Sequence, residues 1–141
     1  SYWCRQQAPE AYWKQPNSKW FDDYAGQEDV VLDDYKAWLP WANLLHLLDE
    51  TPHTVETKGG QSEFVARRIF ITSNWTPDKW YGKDDEDNNN NKYPLKALTR
   101  RINVFKWFLP GINFEEDPTD LRIETFANYD AFVQATCTFN S

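Results

Sequence analysis

A chain of 141 residues with 17% aromatic content, including eight tryptophans, can build one buried core and does not have the composition of a disordered segment. Its net charge of -7 argues against a generally basic nucleic-acid binder, and no apolar run reaches the roughly 18 residues a transmembrane helix needs. Cys4 and Cys137 are far apart and lack metal-ligand spacing, so they read as free thiols of a soluble intracellular protein.

In chain order, Tyr12 to Lys14 is a short strand candidate stopped by Gln15-Pro16-Asn17, and the stretch WFDDYAGQ over 20–27 is rich in turn formers. A strand over 29–32 then runs within VVLDDY into two carboxylates, Asp33 and Asp34. Pro40 opens a helix over 41–50, whose apolar residues at 41, 44, 45, 47 and 48 form one face. The segment HTVETKGGQSEFVA reads as a hairpin with Lys58, Gly59 and Gly60 at its tip. Ile69 to Ile71 is another apolar strand and ends on Thr72-Ser73-Asn74. Thr76 is placed to cap a helix that Pro77 begins.

The run KDDEDNNNN over 83–91 is an acidic solvated loop; its five charged residues carry -3, leaving -4 for the remaining chain. Local basic clusters survive at Lys58, Arg67-Arg68 and Arg100-Arg101. A helix over 94–101, a strand over 102–108 and a linker over 111–118 follow. The tail over 121–139 alternates weakly, as a strand pair does. Strands that are apolar on both faces and alternate with helices predict an α/β fold with a mostly parallel sheet. In such sheets ligands gather at the carboxyl ends of the strands.

Two strands end there in polar residues. An apolar strand ending in two acids has the form of a Walker B motif: Asp33 is suited to hold Mg²⁺ directly or through water, and Asp34 to polarise an attacking water. Asn74, at a neighbouring strand end, is suited to orient that water. Lys58 on a glycine-bearing hairpin tip suits a passing phosphate backbone. Arg100 or Arg101, at a helix-to-strand junction, could reach a neighbouring subunit's nucleotide. Each motif alone also reads as a turn, a plain hairpin tip or an ion-paired couple. Their order and spacing carry more than any one of them.

That order resembles the replication-associated (Rep) proteins of circoviruses and their relatives. It is carried by YWK, KWFDDYxGQEDVVLDDYxxWLPW, TVETKGG, ARRIFITSNWTPxxWY and ALxRRI, over roughly residues 8 to 107. The part resembled is the superfamily 3 helicase domain. The resemblance implies a P-loop ATPase core of the AAA+-like kind, with Asp33 and Asp34 as the Walker B pair and metal site. It implies Lys58, Gly59 and Gly60 as a hairpin on single-stranded DNA, Asn74 as the sensor, and Arg100 or Arg101 as the arginine finger. ATP and Mg²⁺ would be the cofactors, a hexameric ring the assembly and the host nucleus the site of rolling-circle replication. Rep proteins also carry an N-terminal origin-nicking endonuclease domain, which these residues do not contain. Such helicase domains resemble RNA helicases of some positive-strand RNA viruses too; the substrate expected here is DNA.

Two features depart from the pattern. No stretch has the Walker A form GxxxxGK[ST], and the first residue is not methionine. Ser1, followed by Arg5, Ala8, Pro9, Ala11, Tyr12, Trp13 and Lys14, fits the layout directly after the phosphate-loop lysine in relatives, which implies Ser1 as the last Walker A residue and, with Asp33, as cofactor-binding. The expectation is a partial helicase domain over 1–110, lacking its first strand and phosphate loop and inactive alone, followed by a tail over 111–141. The second departure is the long acidic, asparagine-rich loop. The alternative function is a decayed or domesticated relic that binds nucleic acid or protein without hydrolysis.

Overall fold

The computed structural model describes residues 2–51, 53–81 and 94–140, with side chains described as far as residue 136. Ser1 and the acidic loop expected over 83–91 lie outside the described residues, and so does the side chain of Cys137. The chain folds as two compact units, residues 1–93 and 94–141.

The first unit is built on a three-stranded parallel sheet. Strand β1 (Tyr12–Lys14) pairs with β2 (Asp29–Leu32). On its other side β2 pairs with the later strand Arg68–Ile71, in the register Val30↔Ile69 and Leu32↔Ile71. Val30, Val31 and Leu32 are completely buried, as an aliphatic run on a central strand should be. The expectation of strands apolar on both faces holds for β2 alone. The Arg68–Ile71 strand, with one ladder partner, is exposed at Arg68 and half-buried over Ile69–Ile71.

Helix α1 (Tyr2–Gln7) precedes β1 and was not foreseen. Helix α2 spans Trp41–Leu47, three residues short of the expected end, where the Leu48 N–H bonds back to the Leu44 carbonyl. The hairpin is as expected: β3 (His53–Thr57) and β4 (Gly60–Phe64) pair antiparallel around Lys58-Gly59. Strand β5 is the Arg68–Ile71 strand already described. The helix expected from Pro77 is a single 3₁₀ turn, Pro77–Lys79, and the Thr76 side chain makes no capping bond to it.

An aromatic cluster joins the hairpin to the sheet. Phe64 meets Phe21 and Tyr24 at centroid distances of 5.9 and 5.3 Å, and Tyr12 meets the same two rings at 6.1 and 5.3 Å. The phenols keep partners: Tyr12 donates to the Asp22 carbonyl and Tyr24 to the Gln27 carbonyl. Beneath them Lys14 is 2% exposed, yet its ammonium donates to the Gln15 and Ser18 carbonyls at 2.8 and 2.5 Å. It also lies 5.2 and 5.0 Å from the Phe21 and Trp38 ring centroids. Burial lowers its pKa to about 8, against the opposing pull of the Asp22 charge.

The second unit departs further from expectation. Helix α3 spans only Leu95–Thr99. The strand expected at 102–108 is β6 (Phe105–Pro110), and it does not join the parallel sheet. It pairs antiparallel with β7 (Leu121–Phe126), from Phe105↔Phe126 to Pro110↔Leu121. The β1-β2-β5 sheet is thus wholly parallel, as expected of the core, and the two antiparallel pairings among the described residues are separate hairpins outside it.

The expected linker over 111–118 is the hairpin's folded connection, closed by the Gly111 N–H on the Asp120 carbonyl at 2.8 Å. A Cβ at Gly111 would sit 2.6 Å from the Asp120 carboxylate, so any other residue there has to displace that side chain. The last segment is helix α4 (Tyr129–Asn140), where a strand pair was expected. Asn128 starts it by accepting the Ala131 N–H at 2.8 Å, and Phe132 packs 4.4 Å from Phe105 and 5.4 Å from Phe126.

Candidate functional site

The site lies where β2 and β5 end together. Both strands are parallel and in register at Leu32↔Ile71, so Asp33-Asp34 and Thr72-Ser73-Asn74 leave the same edge of the sheet. The ladder continues one step beyond the strands. The Thr72 N–H donates to the Leu32 carbonyl at 3.0 Å, and the Tyr35 N–H to the Thr72 carbonyl at 2.7 Å.

Asp33 is half-buried and accepts the Thr72 hydroxyl on Oδ1 at 2.7 Å. Burial alone would raise its carboxyl. The Thr72 hydrogen bond and, more weakly, the Arg5 charge pull the other way and favour the ionised form. Arg5 itself lies 4.2 Å over the Trp13 ring. Asp34 is exposed, sits at φ 53°, and has Oδ2 3.8 Å from the Lys36 ammonium. Aspartate tolerates this left-handed geometry better than most residues.

Ser73 locks the outgoing loop. Its hydroxyl donates to the Tyr35 carbonyl at 2.7 Å and accepts the Trp75 N–H at 3.0 Å and the Trp80 indole at 3.2 Å. Below, Tyr35 is fully buried with its phenol 2.5 Å from that of Tyr81, which donates to the Leu39 carbonyl. Asn74 emerges from this brace exposed to solvent, and no hydrogen bond to it occurs among the described residues.

The fold thus brings Asp33, Asp34 and Asn74 to one sheet edge. It sets Lys58, Gly59 and Gly60 on the separate hairpin, all three exposed, with the Lys58 N–H held by Asp22 Oδ1 at 2.8 Å. Arg100 and Arg101 belong to the second unit. Arg100 caps α3 and is exposed, whereas the Arg101 guanidinium donates to the Ala97 carbonyl of its own helix. Sequence reasoning passed over Thr72, Ser73 and Tyr35. The signal available was the pair of hydroxyls at a strand end, immediately ahead of the asparagine.

Among the described residues no group of three or more His, Cys, Asp or Glu could cage a metal. Mg²⁺ does not need such a cage: it keeps several waters and takes one or two carboxylates with substrate phosphates. Asp33 and Asp34 supply such a pair.

A parallel sheet with acids and hydroxyls at its carboxyl edge is an α/β arrangement consistent with a P-loop-like helicase domain. A family model for RNA helicases matches residues 2–75, just over half of the chain, and the chain belongs to that RNA helicase family. Over 121 residues it is 45% identical to the replication-associated protein of Porcine circovirus 1, covering 84% of this chain and 37% of that protein. Over 91 residues it is 57% identical to the replication-associated protein of Porcine circovirus 2, covering 64% and 27% respectively. The replication-associated protein of Beak and feather disease virus is 39% identical over 108 residues, 77% of this chain and 34% of its own length. The chain spans about a third of the length of these curated relatives.

Proposed function

We propose that this chain is the helicase portion of a replication-associated protein that uses ATP hydrolysis to travel along single-stranded DNA during rolling-circle replication. The observation that carries this reading is the acid pair Asp33-Asp34 beside Thr72–Asn74 at the carboxyl edge of the parallel sheet. In the longer protein, the phosphate loop and an origin-nicking domain would lie outside these residues. The assembly would be a ring, with replication in the host nucleus. Among the described residues no helix is long and apolar enough to cross a membrane.

In this mechanism Asp33 would hold Mg²⁺ or its waters, and the bound metal would supply neutralisation of the charge building on the transferring phosphoryl group. Asp34 accepts a proton from the attacking water or polarises it. Asn74, two residues beyond the anchored Thr72, donates to and orients that water. Lys58 engages the DNA phosphates from the hairpin tip, and one lysine per subunit lines a basic channel inside an acidic ring. Arg100, exposed at the end of α3, stabilises the transition state on the neighbouring subunit's ATP.

The test is single-stranded-DNA-stimulated ATP hydrolysis by the full-length protein and its Asp34→Asn variant. The expected result is hydrolysis that the substitution reduces by about 10²-fold or more. Equal rates in both proteins would overturn the enzyme reading in favour of a binding role without hydrolysis.

A further inference from the structure

The hydrogen bonds around Thr72 contain an extra residue. In a regular parallel ladder one residue is flanked by the carbonyl before and the N–H after a single opposing residue. Here Thr72 bonds the Leu32 carbonyl on one side and the Tyr35 N–H on the other, so two residues, Asp33 and Asp34, stand opposite one. That is a one-residue bulge, and Asp34 takes up the distortion at φ 53°. A bulge leaves a backbone N–H out of the ladder. Here it is the Asp34 N–H, and the Thr72 hydroxyl accepts it at 2.9 Å while donating to Asp33 Oδ1 at 2.7 Å. One hydroxyl therefore uses both its donor and an acceptor site on the two consecutive acids.

We propose that Thr72 is the positioning residue of the acid pair: its hydroxyl closes a bulge that takes Asp33 and Asp34 out of strand alternation and ties both to the strand leading to Asn74. Adjacent residues of an undistorted strand face opposite sides of the sheet, which would separate the two carboxylates. The bulge removes that constraint, and Thr72 holds the result in one geometry. Because Thr72 also begins the segment carrying Asn74, a shift of either strand end moves all three polar groups together. Serine can make both bonds; valine, of nearly the same shape, can make neither. The role rests on reading Asp33 and Asp34 as the metal- and water-handling pair, but the bulge closure does not.

The experiment compares Thr72→Val and Thr72→Ser in this chain by two measurements. The first is hydrogen exchange of the Asp34 amide by NMR. The second is Mn²⁺ affinity, from paramagnetic broadening of the signals of Asp33 and Asp34. Thr72→Val is expected to speed Asp34 exchange by about tenfold and weaken Mn²⁺ by about tenfold, with melting otherwise cooperative. Thr72→Ser is expected to keep both within about twofold of the unsubstituted chain, since the hydroxyl bonds remain. A folded Thr72→Val variant with unchanged exchange and affinity overturns the proposal. So does a Thr72→Ser variant that loses both, because the methyl group and not the hydroxyl would then be what matters. If Mn²⁺ broadens neither acid in the unsubstituted chain, the metal reading of Asp33 fails, and Asp34 exchange alone decides on Thr72.

Discussion

Asp34 combines a left-handed backbone with a carboxylate in the proposed chemistry, and the two demands can be separated by substitution. Asparagine accepts φ 53° as readily as aspartate and gives up only an exposed pairing with Lys36 at 3.8 Å. Asp34→Asn should therefore hold stability within about 0.5 kcal/mol in a urea titration while hydrolysis by the full-length protein falls. Asp34→Val should lose about 1–2 kcal/mol, because a β-branched residue is strained there. Lys14 makes a prediction of the opposite kind, about stability alone. Burial sets its folded-state pKa at about 8, below the unfolded value near 10.5. Between those values the unfolded chain binds more protons, so stability should rise with pH from 8 to 10, by up to about 2 kcal/mol. Above pH 10 the slope should reverse. Burial, with the Asp22 and Asp23 charges adding to it, raises Tyr12 to about 12, so the unfolded chain ionises first. Urea midpoints across pH 7.5–11 check both limbs, and Lys14→Met should flatten the first.

At the scale of elements the β3–β4 hairpin is the most testable piece. Its two-residue loop is not a primed turn, since neither Lys58 nor Gly59 has positive φ; Gly60 alone does, at 151°. No atom lies within 4 Å of a Cβ built on either glycine, so only backbone conformation separates them. Gly60→Ala should cost about 1–3 kcal/mol by thermal melting, and Gly59→Ala should cost less than about 1 kcal/mol. Lys58→Ala removes an exposed ammonium and keeps the backbone bond to Asp22. It should leave melting unchanged, weaken single-stranded DNA binding by full-length protein, and reduce the salt slope by about one for each DNA phosphate that Lys58 neutralises. An unchanged salt slope would separate this hairpin from the DNA.

At the scale of the whole molecule the two arginines differ in what they are free to do. Arg101 is engaged with the Ala97 carbonyl, while Arg100 is exposed at the end of α3. In full-length protein, Arg100→Ala should lower hydrolysis by about 10³-fold and Arg101→Ala by much less. If Arg100 serves a neighbouring subunit, mixing Arg100→Ala protein with Asp34→Asn protein should recover part of the activity, because mixed interfaces hold one intact site. A mixture no more active than its parts would place the arginine elsewhere in the mechanism.

What the sequence by itself determined was local in origin. The buried Val30–Leu32 run, the hairpin tip at Lys58-Gly59 and the strand before Thr72 follow from side-chain pattern and turn chemistry within a few residues. The motif order carried the family resemblance without any contact being known. The tertiary structure alone decided how distant segments pair. Phe105–Pro110 satisfies its backbone bonds with Leu121–Phe126 instead of extending the parallel sheet, and no pattern inside either strand specifies that partner. The tail became helix because Asn128 caps it and Phe132 finds Phe105 and Phe126. Thr72 is the sharpest case. Its chemistry comes from one hydroxyl meeting a displaced N–H and a carboxylate 38 and 39 positions away in the chain, a meeting that exists only once two strands lie in register.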